Sequence, residues 1–562
     1  MSNSGNTDPQ NFSPAERSLL SRYVTNTEGS VFALTNLPEV VKGALFSRYS
    51  RSAKGLRELL LTDFIQAPES EFAGIGGFSG EALRSGETAA KESEAAVKRA
   101  EGFYSRILDS YGDDSIAELG GAHLAIENVS MIATKVLEDA RIGGSPLEKS
   151  TRYVFFGDKV DGEYLFYQEP ALMDSAHREL YLNTNRALFE TYREMIGPLT
   201  AYVEQAAQRD PGVSEAAWRR SVRARVFDGL RGLLPASTLT NMGIYGNGRF
   251  FETLLIRLQI SPLAEMQTLG GAMLAELSKV IPSFVRRADP AHRHFSGFQQ
   301  YHQSLTAFTE RAPIPSAEGP IAPGGDPPEE PSPVKLVDWD PAAPRKVLAS
   351  LYFSGSGGDS APLLAWAGSL SETERSARFQ ELADLRENRR HKPPRALELA
   401  FYTFDLTGDF GMYRDLHRHR MLTQQRQPLS ARLGYEMPEE IAGAGLQSPF
   451  AAAMERAGEA YERIAADFPE AAQYVVPMAY RIRWQIHINL RALIWLVELR
   501  SSPQGHPAYR RMAQQLFRKA AEVHPSFAPL FKFVDLTEYP LGRIGAEQGE
   551  ENGAEISTEN GT

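Results

Sequence analysis

The stretch DLHRHRMLTQQRQPLSAR, residues 415–432, sets two histidines and four arginines into eighteen positions of a chain whose net charge is −11. Just before it, LELAFYTFDL (397–406) is aromatic and β-prone, and TGD (407–409) reads as a turn. FGMYRDLHRHR (410–420) then places Phe410, Tyr413 and Leu416 at helical spacing. An Arg-x-Arg at the end of a short helix offsets the partial negative charge there and commonly pairs with surface acids. The loop that follows adds Thr423, Arg426, Ser430 and Arg432, and guanidinium forks beside hydroxyls make a receptor for phosphate. His417 and His419 form a His-x-His pair, but no Asp or Glu cluster nearby completes a metal shell, so no metal site is expected.

The same order occurs earlier in the chain. AELGGAHLAIEN (117–128) reads as a strand, and SMIATKVLEDARIGG (130–144) as a helix with Ser130 as N-cap and glycines at its end. SPLEKSTRY (145–153) is the matching loop. Further on, LRGLLPAS (230–237) answers to AQYVVPMA (472–479), and NGRFFETLLIRL (247–258) to NLRALIWLVELR (489–500). A last helix begins at SPLAEMQTLGGAML (261–274) or GHPAYRRMAQQL (505–516). Two copies in matching order with weak identity indicate a tandem duplication. Between them, 311–333 is too rich in proline for a helix or sheet and reads as a linker. The division expected is a polar N-terminal segment over 1–29, bodies over 30–310 and 334–542, and an acidic disordered tail over 543–562.

Composition excludes several classes of function. The chain has 562 residues, 42% hydrophobic and 23% charged, as in soluble globular proteins of more than one domain. Its acidity argues against bulk nucleic-acid binding and leaves room for a focused cationic pocket. No apolar run approaches the ~20 residues that span a bilayer, and MSNSGNTDPQ is not a signal peptide, so a cytoplasmic protein without membrane contact is expected. The absence of cysteine removes disulfides, thiolate metal sites and cysteine nucleophiles, so redox or alkyl-transfer chemistry needs a bound cofactor.

RHRMLTQQRQPLSAR (418–432) resembles the signature of the flavin-dependent thymidylate synthases: RHR, two residues, Ser, four residues, Ser, one residue, Arg. Arg418, His419 and Arg420 match, Thr423 stands at the first Ser, and Ser430 and Arg432 match across two extra residues. In the first body Ser145, Ser150, Arg152 and Tyr153 match at the family's spacing, but RHR has become Asp139-Ala140-Arg141. The family's Asn-x-Arg matches Asn247/Arg249 and Asn489/Arg491, its Ala-Arg-x-x-Leu-Pro resembles the segment at Arg231, and its late arginine matches Arg510. The resemblance implies an α+β fold of two tandem domains, each a mixed sheet with packed helices. It also implies an enzyme that converts dUMP to dTMP with FAD, with NADPH and methylenetetrahydrofolate as co-substrates. Arg510 would then stabilise the ionised uracil ring. Arg418, His419, Arg420, Asn489, Arg491, Asn247 and Arg249 would hold flavin, and Ser150, Arg152, Arg231, Ser430 and Arg432 would grip the nucleotide.

Departures from the family are as informative. Its Glu-His reads Glu118-Leu119 and Glu398-Leu399, so the flavin-region histidine is missing twice, with Tyr402 and His123 nearby in sequence as replacements. Gln473 stands opposite Arg231, and Gln267 opposite Arg510. These losses leave open a divergent paralogue that binds FAD or nucleotide without turnover, or a scaffold whose arginines pair internally. The retained residues are largely complementary between the bodies. Since the family forms homotetramers with shared sites, a homodimer acting as a pseudo-tetramer is expected. Asn489 as a plain cap, and Arg491 as a partner of Glu498, are the bland alternatives.

Overall fold

The computed structural model describes residues 12–49, 52, 54–66, 117–207, 209, 211–310 and 332–539. The expected tail over 543–562 and residues 311–331 of the linker lie outside these, as do residues 1–11 of the N-terminal segment. Within that segment, Ser13 and Glu16 close a capping box on a helix, Pro14–Leu20, whose Leu20 is buried. The fold is α+β, with small sheets covered by helices.

Packing divides the chain otherwise than the linker does. Described residues within Met1–Glu127, Asp139–Glu148 and Asn241–Ile314 form one compact unit; those within Asn128–Glu138, Lys149–Thr240 and Pro315–Thr562 form the other. In the first unit, strand Leu239–Asn247 lies between Gly121–Ser130 and Gly144–Glu148, antiparallel to the latter from Gly144↔Gly246 to Glu148↔Met242. Met242 and Ile244 turn inward and join Phe250, Phe251 and Leu254 of the Gly248–Gln259 helix in the core.

The second unit holds a four-stranded sheet in the order Val334–Trp339, Phe401–Asp409, Arg481–Asn489, Thr423–Arg426. Alternation buries Tyr402, Phe404 and Leu406 with Ile482, Trp484, Ile486 and Ile488 on one face. Two sequence expectations are corrected here. TGD (407–409) is not a turn: the strand runs through Asp409, which pairs with Arg481. Gly408 serves close packing instead, since a Cβ there would collide with Met412 Cε. Thr423–Arg426 is likewise no loop but an edge strand against Trp484–His487.

Within this unit the two repeats meet about a local twofold axis. Pro235 and Pro477 form an antiparallel bridge, flanked by reciprocal hydrogen bonds from Ala236 N to Val476 O (2.9 Å) and from Met478 N to Leu234 O (3.0 Å). The equivalent helices Met131–Glu138 and Phe410–Leu416 are capped alike, by Ser130 Oγ on Ala133 N (3.0 Å) and by Asp409 Oδ1 on Met412 N (2.8 Å). Their ends touch where Glu138 Oε2 lies 3.2 Å from His417 Nδ1. Lys135 holds the same carboxylate; both charges bring it to about 2 despite burial, which works the other way.

Candidate functional site

The local twofold brings cations from both repeats onto two buried carboxylates. Arg152, on the loop after the Gly144–Glu148 strand, donates from Nε to Asp228 Oδ1 (2.7 Å) and from Nη2 to Oδ2 (2.8 Å). Its Nη1 reaches the Tyr509 hydroxyl at 3.2 Å. Arg231 donates from Nη1 to Asp415 Oδ2 (3.0 Å), and Arg418 from Nη2 to Asp415 Oδ1 (2.6 Å). One carboxylate thus joins an arginine of the first repeat to the first arginine of RHR in the second.

Burial would raise both carboxyls, and the guanidinium charges overrule it. Arg152 brings Asp228 to about 2, and Arg231, Arg152 and Arg418 hold Asp415 well below the carboxylate range. Two histidines are lowered as well, with burial and the cations acting in the same direction. Burial, then Arg500 and Arg418, hold His419 well below its ordinary value, and Arg500 Nε donates to its Nε2 at 2.9 Å. His419 is therefore neutral, with its proton on Nδ1. His506, buried beside Arg231, falls to about 3.

Beyond Asp415 the cations open onto a cavity of about 500 Å³. Arg418, His419, Arg420, Asn489 and Arg491, the five second-body residues expected at the flavin, all line it. Lys392 and Arg500 add charge, while Trp495, Met421 and Leu422 make an apolar wall. Its one lining carboxylate, Glu398, takes Arg491 Nη1 at 2.6 Å. Glu398 balances Arg491 and Asp415 holds Arg418, and with Lys392, Arg420 and Arg500 in the same lining the cavity carries net positive charge. A second cavity, about 210 Å³, includes Asp228, Arg231 and His506, but acids and bases mix there, as in the Arg511–Glu439 pair at 2.8 Å.

The remaining expected site residues lie elsewhere. Arg510 is buried, donating from Nε to Ser501 O (2.8 Å) and from Nη2 to Thr537 O (3.0 Å), and it lines neither cavity. Ser430 Oγ and Ser150 Oγ each accept from the backbone two residues on. Arg432 pairs with Glu462 at the surface (2.9 Å). Asn247 and Asn489 cap their helices, accepting at 2.9 Å from Phe250 N and Ala492 N. Arg249 pairs with Glu118 at 2.7 Å as Arg491 pairs with Glu398, so both repeats keep the same ion pair beside the same lost histidine. The alternative pairing of Arg491 with Glu498 is incorrect, because Glu498 takes both terminal nitrogens of Arg386. Tyr402 is fully buried against His524, and His123 packs on Tyr245.

Sequence reasoning missed Asp228, Asp415, Arg500 and Trp495. A signal for the acids was present: each stands three residues before an arginine, Arg231 or Arg418. By repeat position Asp415 answers to Val136, Arg418 to Asp139 and Arg231 to Gln473. Gln473 turns to Leu429 N (3.1 Å) instead. Among the described residues, the charged network therefore exists on one side of the local axis only.

The profile of the family described as Thymidylate synthase complementing protein matches residues 68–283 and 356–526. This chain belongs to that family. Both repeats are matched, as a tandem arrangement requires. Its relatives include a UPF0159 protein of Chlamydia muridarum, 50% identical over 95% of this chain and 98% of that one. One from Chlamydia pneumoniae is 47% identical over 96% and 98%, and one from Thermoplasma acidophilum 35% identical over 81% and 93%. Among solved structures, the UMP/dUMP methylase PolB from Streptomyces cacaoi, bound with 5-Br dUMP, is 19% identical over 36% of this chain and 94% of its own, with a TM-score of 0.28.

Proposed function

We propose that this chain binds FAD in the cavity between Arg418 and Trp495 and catalyses reductive methylation of dUMP to dTMP, with methylenetetrahydrofolate as carbon donor and NADPH as reductant. The carrying observation is the donor set of that cavity, five cations and a neutral histidine around one paired carboxylate. That set fits a pyrophosphate, whose unpaired burial would be costly, and the apolar wall suits a ring. Bound there, FAD supplies the hydride-carrying centre that a chain without cysteine needs. Arg418, Arg420 and Lys392 would balance phosphate charge, and His419 would offer its Nδ1 proton as a donor. A homodimer in which each chain builds its own site from its two repeats belongs to the same proposal.

A second reading, binding without turnover, is favoured by one observation. Arg152 and Arg231, which the resemblance places at the nucleotide, and Arg418, which it places at the flavin, already spend charge on Asp228 and Asp415. Anaerobic tritium release from dUMP labelled at the ring carbon separates the two. Release dependent on FAD, folate and NADPH is expected; yellow protein without release would establish the second reading. Protein that never takes up FAD would sink both.

A further inference from the structure

Trp495 is not among the residues that the family signature singles out, yet it is the one aromatic side chain lining the cationic cavity, and it is 40% exposed. An indole face open onto a cavity lined by cations suits a ring that carries phosphate. Its ring is backed by Arg389, whose Cζ lies 5.5 Å from the ring centroid and whose Nη1 is buried without a hydrogen-bond partner. A guanidinium fixed over one face holds the indole in place and lowers the entropy lost on stacking. Pro393, Met421 and Leu499 complete the apolar side, with Arg418 and Arg420 in the same lining.

We infer that Trp495, backed by Arg389, is the platform on which the aromatic ring of a phosphorylated ligand stacks, while Arg418, Arg420 and Lys392 take its phosphates. This deepens the proposed function and rests on its assignment of the cavity. The ring is a purine or an isoalloxazine, since both offer an extended π-face joined to phosphate.

Tryptophan emission and calorimetry with full-length protein test this, using FAD, ADP, FMN and inorganic pyrophosphate as probes. Ring-bearing probes should quench emission in the wild type. Trp495→Leu should remove that quench, weaken the ring-bearing probes roughly 5- to 100-fold by calorimetry and leave pyrophosphate unchanged, and Trp495→Phe should largely restore the calorimetric affinity without the emission signal. Arg389→Gln should give a smaller loss of the same kind. ADP bound tighter than FMN assigns the platform to the purine end, and the reverse order to the flavin ring. If FAD binds Trp495→Leu as tightly as wild type, the platform is wrong and the FAD proposal stands. If ADP quenches emission through Trp495 while FAD does not bind, the platform stands and the FAD proposal falls.

Discussion

Arg231 reaches Asp415 at 3.0 Å although 184 residues separate them, and the same carboxylate takes Arg418 on its other oxygen. The anion that the Arg-rich stretch requires is thus, in part, a side chain of its own repeat. A buried pair of this kind adds little net stability, but removing one partner strands the other.

Asp415→Ala should therefore destabilise the chain by ~3–5 kcal/mol in urea unfolding. The double change with Arg231→Met should cost less than the sum of the singles by ~1 kcal/mol or more. Strict additivity would show that the contact carries no coupling.

Asp228 titrates near 2 in the folded chain, below its ordinary value near 4. A depressed carboxyl contributes stability that is complete above the unfolded value and is lost as pH falls through the folded one. Melting temperature should drop between about pH 4 and pH 2. Asp228→Asn should flatten that fall while lowering stability at pH 7.

Asp409 has the opposite sign. Burial pushes its carboxyl up to about 6, with Arg231 opposing. Ionising it costs stability as pH rises through roughly 4 to 6. Asp409→Asn keeps the cap on Met412 N and should raise the melting temperature at pH 7.5 with no gain at pH 4. A gain that persists at pH 4 would refute titration as its cause.

Asn489→Ala should lose about 1 kcal/mol, the usual worth of a helix cap, and Asn489→Asp should restore it. Asn247 should behave alike. Loss of FAD affinity in Asn489→Asp at unchanged stability would place Asn489 on the ligand as well.

Because the charged network occurs on one side of the local axis, calorimetry should find one FAD per chain rather than two. Arg152→Gln and Arg418→Gln in separate co-expressed chains should not restore activity, since each chain builds its network from its own two repeats. Restoration would show that the residues are shared between chains.

Much of this architecture was legible in the residues. The repeated order from strand to cap to helix is written in local preferences, and Ser130, Asn247 and Asn489 cap their helices because a short polar side chain does so wherever the backbone enters a helix. The gathering of Arg418, His419, Arg420, Asn489 and Arg491 was implied by the resemblance to the flavin-dependent thymidylate synthases, and the ends of strand and helix in one sheet bring them to one cavity. Turn chemistry misled at Thr407–Asp409, where Gly408 serves packing against Met412 rather than a reversal of the chain. The sequence alone determined that the protein is two copies of one plan, without thiol chemistry and with arginines retained at largely complementary places. Only the tertiary structure decided which carboxylate each arginine meets. Coulombic pairing depends on distance through space, and Asp415 comes within reach of Arg231 only after the repeats close around Pro235 and Pro477.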